Sequence, residues 1–251
     1  MNRFLSCAIC ILIILSVTAC AANFPTDDYD PTIVDGGSSE LPERYYTPFH
    51  NETDTFYVYD LDTKYTSSDN PSATLFFSDG SWLTFELYPQ LAPESVKRFI
   101  DLVNNLFIEG SSIHSIEQNY LLCGGAIGYN NVGIPYFLDV SEYENIAAEC
   151  TANGYQNDLP HLFGVIGFCL EDDNYNSVGT QFYVCLDTLS AFDGYSPAFG
   201  RIKGDESYDM LLHLNSFLTT AYDSSLPDLP QEELTFVYAK IDYGNYAFLG
   251  E

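Results

Sequence analysis

The central part of the chain alternates short hydrophobic runs with turn residues, a pattern typical of β-strands. Two runs, 74–77 and 82–87, flank the dipeptide Asp79-Gly80, which is a strong signal for a β-hairpin. Within the second run, apolar and polar residues alternate, so its leucines and phenylalanine share one face of the strand. Four further apolar runs predict strands at residues 120–122, 165–170, 182–186 and 236–241.

Two other segments have the spacing of amphipathic helices. Pro93 can occupy the first turn of a helix, and apolar residues recur after it at helical spacing until Gly110 ends the pattern. A second helix is predicted over residues 207–214. Because strands predominate and do not alternate with helices, the sequence predicts a mainly β fold, a barrel or a sandwich, rather than a doubly wound sheet. The apolar positions of the first helix are Val96, Phe99, Ile100, Val103, Leu106 and Phe107.

The first nineteen residues have the pattern of an export signal. Arg3 provides a positive start, residues 4–17 are mostly apolar, and no acidic residue occurs before Asp27. The sequence Val17-Thr18-Ala19-Cys20 resembles the lipobox of bacterial lipoproteins, in which the cysteine becomes the lipidated N-terminus. The alternative, an uncleaved transmembrane helix, is less favoured because the apolar run is shorter than the roughly 20 residues of a membrane span. We therefore expect an exported protein, anchored through lipid on Cys20 to the outer face of a bacterial cell membrane.

The chain divides into three parts. Residues 1–19 are the predicted lipoprotein signal peptide. Residues 20–52 contain acidic residues and a Gly-Gly-Ser-Ser run, a composition that predicts a flexible acidic tether. Residues 53–251 form the predicted folded domain, with a core at about 70–246.

Charge and cysteine content exclude several classes of function. Eight basic residues against 36 acidic ones give a formal charge of −28, which repels nucleic acid, so we expect no nucleic-acid partner. Four cysteines lie beyond Cys20, and they allow three disulfide pairings or serve as small buried hydrophobes. Their spacing matches no zinc motif and the chain has no phosphate-binding loop, so no metal or cofactor is predicted. The oligomeric state is open, with a monomer as the default. The four cysteines are Cys123, Cys150, Cys169 and Cys185.

A series of short motifs, in order along about 175 residues, resembles the cyclophilin-type peptidyl-prolyl cis-trans isomerases. The resemblance implies a closed eight-stranded antiparallel β-barrel capped by two α-helices, with a surface groove for proline-containing peptides or unfolded exported proteins. The motifs are Ala92-Pro93-Glu94-Ser95-Val96, Ile113-His114-Ser115, Gly124-Gly125, Gly164-Val165-Ile166, Asn176-Ser177-Val178-Gly179-Thr180-Gln181-Phe182-Tyr183-Val184, Phe192-Asp193-Gly194 and Ala198-Phe199-Gly200.

The resemblance also assigns site residues. Ser115 stands at the position of the family's catalytic arginine, whose guanidinium weakens the resonance of the prolyl amide. A serine hydroxyl offers one donor and no fixed charge, so weakened catalysis is expected. His114 is expected to be structural. The expected substrate-binding residues, which keep an apolar, aromatic-walled pocket, are Tyr120, Leu121, Cys123, Gln181, Tyr183, Phe192 and Ser196.

Two functions follow from this combination. The first is a prolyl isomerase or folding helper that acts slowly on exported proteins. The second is a catalytically silent module that binds proline-containing segments at the cell surface. Both use the same groove, and they differ in whether the residue at position 115 supports bond rotation.

Overall fold

The structure is a computed structural model, and it describes residues 64–171 and 174–246. The predicted signal peptide, the predicted lipid anchor Cys20 and the predicted tether lie outside the described residues, as does the start of the predicted domain at residue 53. None of the described helices is long and apolar enough to cross a membrane.

The predicted hairpin forms at the start of the described chain. Strands β1 (Ser72–Phe77) and β2 (Trp82–Leu87) pair antiparallel. The turn between them needs a positive φ, which Gly80 adopts at 87°. The Asp79 carboxylate accepts hydrogen bonds from the main-chain N–H and the hydroxyl of Ser81, at 2.9 and 2.6 Å, and so fixes the turn.

Two α-helices are present in the described chain, as predicted. Helix α1 (Pro93–Asn104) begins at the predicted proline, and helix α2 (Asp205–Asn215) covers the predicted second segment with small extensions. Helix α1 ends earlier than its apolar pattern, because Leu106 adopts a positive φ of 59°. The apolar spacing continues beyond the helix because Ile108 packs into the core from the turn that follows.

The remaining strands complete a mainly antiparallel sheet. They are β3 (Ser112–Glu117), β4 (Leu121–Tyr129), β5 (Pro135–Phe137), β6 (Val165–Phe168), β7 (Phe182–Cys185), β8 (Ala198–Ile202), β9 (Thr219–Thr220), β10 (Leu229–Pro230) and β11 (Phe236–Asp242). The strand order of the sheet is β11-β1-β2-β8-β6-β7-β4-β3, with β5 paired to β4, while β9 and β10 form a separate two-stranded sheet. The predicted mainly β fold with two helices is confirmed.

The sheet curls until its two edges meet. Ser112 on β3 forms an isolated antiparallel bridge with Thr235, the residue before β11. Two main-chain hydrogen bonds of 2.9 Å flank this bridge, from Ile113 N–H to the Leu234 carbonyl and from Phe236 N–H to the Ser111 carbonyl. The eight strands of the main path therefore surround a common interior, and their junction between β3 and β11 is short.

Aromatic side chains fill this interior. Phe99 of α1 is fully buried, and its ring lies 6.3 Å from Phe168, 5.6 Å from Phe182 and 5.2 Å from Phe199. These three phenylalanines come from β6, β7 and β8, so one helical residue joins three neighbouring strands. Helix α1 thus closes one end of the curled sheet.

Candidate functional site

The sheet has a second apolar face, and this outer face carries the candidate site. Side chains alternate across a strand, so Phe182 and Val184 of β7 point into the main core, while Tyr183 and Cys185 point outward. Leu122 of β4 likewise belongs to the main core and its neighbours to the outer face. We call the buried outward-facing residues the outer cluster. They are Tyr88, Leu121, Cys123, Leu159, Val165, Tyr183, Cys185, Phe192 and Ala198.

Ser115 reaches this outer face through an irregularity in β3. Ile113 pairs with Gly124 and packs into the main core, whereas Ser115 pairs with Cys123, with a register shift between the two pairs. Such a bulge changes the direction in which the following side chain points. Ser115 is half-buried and lies beside Cys123 at the edge of the outer cluster. A short hydroxyl therefore occupies the place where the resemblance implies a guanidinium.

His114, at the irregularity itself, is deeply buried. Its exposed fraction is 2%, and its Nδ1 atom has no hydrogen-bond partner among the described residues. Burial lowers the pKa of His114 from 6.5 to about 4, so its imidazole is neutral at physiological pH. A neutral, enclosed ring beside Ser115 adds no charge that replaces the missing guanidinium.

Four of the predicted pocket residues are aromatic or aliphatic and lie together, namely Tyr120, Leu121, Tyr183 and Phe192. The Tyr120 ring lies 6.0 Å from that of Phe192, and the Tyr183 ring lies 5.9 Å from Phe192, both edge to face. The exposed fractions of Leu121, Tyr183 and Phe192 are only 2%, 2% and 5%. Tyr120 is the more exposed member, so it presents most of the apolar surface to an approaching peptide.

A hydrogen-bonded chain that the sequence did not predict fixes Tyr183. The hydroxyl of Tyr183 lies 2.8 Å from Nε2 of His161, and Nδ1 of His161 lies 3.0 Å from a carboxylate oxygen of Asp193. Because a carboxylate accepts, Nδ1 carries the proton and Nε2 accepts from the tyrosine. Burial lowers the pKa of His161, while Asp193 acts in the opposite direction. The imidazole thus holds the Tyr183 ring in one orientation.

Gly167 makes room for that hydroxyl. A β-carbon at this position would lie 2.2 Å from the hydroxyl oxygen of Tyr183, well inside van der Waals contact. The only sequence signal for this hydrogen-bonded chain is Tyr183 itself, because the hydroxyl of a buried tyrosine requires a polar partner. The identity of that partner depends on how β7 and residue 161 meet in the fold.

Cys123 is part of a contact between two thiols. Its side chain is hydrogen-bonded to Cys169, which follows β6, and that bond together with burial raises the pKa of Cys123 well above its usual range. Burial likewise raises the pKa of Cys185. All four described cysteines are free thiols. Of the alternatives considered from the sequence, the structure has small buried hydrophobes at Cys123, Cys150 and Cys185.

Gln181 and Ser196 complete the set at the rim. Gln181 directly precedes β7, is partly exposed, and its main-chain oxygen accepts a 2.9 Å hydrogen bond from Cys169. The main-chain N–H of Ser196 donates to the Phe192 carbonyl at 3.0 Å. Six candidate residues therefore lie together on the outer face, namely Ser115, Tyr120, Leu121, Cys123, Tyr183 and Phe192. Gln181 and Ser196 adjoin this group through their main-chain hydrogen bonds to Cys169 and Phe192.

A cavity of about 530 Å³ adjoins this set, and sequence analysis missed it. It lies between the segment 137–145 and the pair Cys169 and Gln181. No spacing pattern in the sequence marks it, because its walls come from segments that meet only in the folded chain.

Comparisons with known proteins agree with the geometry. The family model described as cyclophilin type peptidyl-prolyl cis-trans isomerase/CLD matches residues 76–233. A peptidyl-prolyl cis-trans isomerase of Synechococcus elongatus is 25% identical over 134 residues, covering 53% of this chain and 82% of the relative. Peptidyl-prolyl cis-trans isomerase B of Bacillus subtilis is 24% identical over 124 residues, covering 49% and 78% respectively.

Solved structures give the same fold. A cyclophilin type peptidyl-prolyl cis-trans isomerase of Cryptosporidium parvum, crystallised in the presence of the dipeptide Ala-Pro, superposes with a TM-score of 0.51 at 19% identity. The match covers 68% of this chain and 98% of that one. The structure of the same protein described without the dipeptide gives a TM-score of 0.53 at 18% identity, covering 69% and 98%.

Proposed function

The chain belongs to the cyclophilin-type peptidyl-prolyl cis-trans isomerase family, and we propose that it acts slowly on proline-containing segments of exported proteins. The observation that carries this proposal is the grouping of Ser115, which pairs with Cys123, with Tyr120 and Phe192 on the outer face of the sheet. The relative crystallised with Ala-Pro supports a proline peptide as the ligand class.

The reaction requires rotation about an X-Pro bond, and no covalent step. Its barrier is about 20 kcal/mol because amide resonance must be lost in the twisted transition state. A fixed donor at the prolyl amide lowers this barrier, as a preorganised donor does at an oxyanion. Ser115 supplies a single neutral donor on a short stem at the edge of the outer cluster. The rate is therefore reduced, by about 10²- to 10³-fold relative to a site with the charged donor.

Binding is less affected than catalysis under this proposal. The partly exposed Tyr120 offers an aromatic surface for the proline ring, and Gln181 offers an amide for the peptide backbone. Tyr183 supports Tyr120 indirectly, since it is held by His161 and packs on Phe192, against which Tyr120 also lies. The groove therefore keeps a rigid apolar floor beneath the weakened catalytic position.

The location proposed for this activity follows from the N-terminal sequence. Residues 1–19 direct export, and lipid on Cys20 holds the chain at the outer face of a bacterial membrane. The tether at 20–52 then lets the folded domain reach newly exported chains near that surface. The charge of −28 keeps the domain from adhering to anionic lipid.

A second function, a catalytically silent module that binds proline-containing segments, is favoured by one observation. The two residues next to Ser115 in sequence are His114 and Ile116, and His114 is neutral at physiological pH because burial lowers its pKa to about 4. No cation at these two positions takes over the role of the family arginine. The same groove would then hold a partner without accelerating bond rotation.

The experiment that separates the two functions is turnover of an Ala-Pro peptide by the purified chain and by Ser115→Arg. Under the isomerase proposal the wild type is active but slow, and the variant gains about 10²- to 10³-fold. A matched control, Thr188→Arg, adds the same charge at an exposed position and is expected to behave as the wild type. Absence of wild-type activity with gain in Ser115→Arg favours the silent module. Full activity in the wild type contradicts the importance given to Ser115.

A further inference from the structure

The described chain begins on the same face of the sheet as the candidate site. Lys64 is the first described residue, and Tyr65 packs against the outer cluster, with its ring 5.9 Å from that of Tyr88. The Tyr65 hydroxyl donates to the carboxylate of Asp158, and the Lys64 ammonium donates to the same carboxylate at 2.6 Å. The Tyr65 carbonyl accepts from the side-chain amide of Gln90 at 2.8 Å. The residues before Lys64 are therefore attached to the domain beside the outer cluster.

A short path of contacts leads from Tyr65 to the aromatic rim of the candidate site. Asp158, which Tyr65 contacts, lies three residues before His161. The His161 ring lies 5.7 Å from that of Phe192, and the Phe192 ring lies 6.0 Å from that of Tyr120. Because three residues span at most about 11 Å, and the side chains add known lengths, the Tyr65 hydroxyl lies at most about 35 Å from the Tyr120 ring.

The chain before Lys64 is long enough to return along this path. Pro48 is the proline nearest to Lys64 on that side, and 16 positions separate the two. A stretch of this length spans about 53 Å when fully extended, and about 20–24 Å on average when it is flexible. Pro48 can therefore reach Tyr120 without strain. Since the average span and the distance to be covered are of the same order, the effective concentration of Pro48 at the site is in the millimolar range.

The residues around Pro48 suit an apolar groove on an acidic domain. Residues 45–49 have the sequence Tyr-Tyr-Thr-Pro-Phe, with three aromatic residues and no charged one. By contrast, three of the five residues before Pro31 are aspartates. The charge of −28 on the whole chain therefore repels the segment around Pro31 and not the one around Pro48. The aromatic rings beside Pro48 can pack on Tyr120 and Leu189, which are partly exposed at the rim of the outer cluster.

We propose that residues 45–49 bind the proline groove of their own chain, with Pro48 against Tyr120. This self-binding rests on the proposed function for the groove, and it adds a means of regulation. A substrate must displace the chain's own segment before it binds, so weakly binding peptides are excluded. The effect is separate from that of Ser115. The serine lowers the rate of bond rotation, whereas the bound segment lowers the fraction of chains that are open to substrate.

The test measures binding of a fluorescent Ala-Pro peptide to the purified full chain by anisotropy. Pro48→Ala removes the ring that the groove holds. We expect this variant to bind the peptide about fivefold more tightly than the wild type, because a competitor at millimolar effective concentration is lost. Pro31→Ala is the matched control, a substitution of the same kind in the same tether, and is expected to bind as the wild type does. Equal gains in both variants would assign the effect to the tether as a whole and overturn Pro48 as the occupant.

A crosslink locates the segment without any added peptide. Phe49 is replaced by the photoreactive residue p-benzoylphenylalanine, and mass spectrometry is expected to find crosslinks to the segments that contain Tyr120 or Phe192. The same replacement at Tyr29, an aromatic residue just before Pro31, is the control and is expected to give no such crosslink. A mixture of isotope-labelled and unlabelled chains distinguishes the two sources of the segment. Crosslinks within one chain support the proposal, whereas crosslinks only between labelled and unlabelled chains would make a second copy the occupant and overturn it.

The two measurements keep self-binding distinct from the proposed function. If the wild type and both proline variants bind the Ala-Pro peptide equally, and no crosslink to the site forms, self-binding is wrong and the proline site stands. If none of the three chains binds the Ala-Pro peptide, the proposed proline function fails and self-binding fails with it.

Discussion

His114 and Ser115 are neighbours on β3, and the histidine has a clear consequence for stability. Its imidazole is 2% exposed, and burial lowers its pKa from 6.5 to about 4. Below pH 6.5 the unfolded chain binds a proton at this residue and the folded chain does not, so the free energy of unfolding falls as the pH decreases. The loss proceeds from pH 6.5 down to about 4 and amounts to about 3 kcal/mol in that interval.

The substitution His114→Gln is therefore expected to flatten this pH dependence. Urea denaturation of the wild type and the variant between pH 7.5 and 4 measures the difference, and comparison between the two removes the contribution of the carboxylates that they share. His213→Gln serves as control, because His213 is exposed on α2. Equal pH slopes for wild type and His114→Gln contradict a neutral buried imidazole.

Some contacts between individual residues of the site could not be predicted from the sequence. The eight candidate residues were assigned through short motifs, and each motif lies on one strand or in one turn. The hydroxyl of Tyr183 is hydrogen-bonded to His161 and occupies space beside Gly167. These three residues come from separate segments of the chain. The sequence motif assigned Tyr183 to the site, but it could not identify His161 as the partner of the hydroxyl, because residue 161 lies in a different segment.

Among the secondary-structure elements, the N-terminus of α1 has an unusual cap. Ala92 occupies the N-cap position and has no side chain that can accept a hydrogen bond. Glu149, which is 54 residues from Ser95 in sequence, supplies the acceptors instead. Its carboxylate accepts from the main-chain N–H groups of Glu94 at 3.1 Å and Ser95 at 2.7 Å, and from the Ser95 hydroxyl at 2.7 Å.

We expect Glu149→Gln to lower the free energy of unfolding by about 2 kcal/mol. Glu149 is 1% exposed, and the neutral amide loses both the charge that favours a helix N-terminus and one of the two acceptor oxygens. Chemical denaturation measures the change, with the exposed Glu142→Gln as control. A loss no larger than that of the control would mean that Glu149 does not cap the helix energetically.

The first hairpin and helix α1 were predictable because the signals for them lie within the segments themselves. The hairpin depends on Asp79-Gly80, and α1 on Pro93 followed by regular apolar spacing. The end of α1 was placed too late because Phe107 and Ile108 continue the apolar pattern from a turn. The apolar runs predicted six of the described strands, and β3, β5, β8, β9 and β10 were missed. Strand β5, for example, is only three residues long, and its tyrosine and phenylalanine are exposed.

At the scale of the whole molecule, the main sheet has an apolar cluster on each of its two faces. Its interior face carries the main core, and its exterior face carries the outer cluster with Tyr183 and Phe192. Strands β4, β6 and β7 are consequently buried on both faces, which gives them nearly continuous hydrophobic sequences. Because of this double burial, hydrophobicity alone does not separate the residues of the candidate site from those of the main core.

The charge of the whole chain affects how it can attach to a membrane. A charge of −28 opposes adsorption to anionic lipid, so the proposed attachment depends on the acyl chains of Cys20. When the full chain is produced in a bacterium, Cys20→Ser is expected to move it from the detergent phase to the aqueous phase on phase partition. Cys10→Ser, in the same leader, is the matched control and is expected to stay with the detergent. Retention of Cys20→Ser in the detergent phase would instead indicate that the leader itself remains in the membrane, since no lipid could then be attached at residue 20.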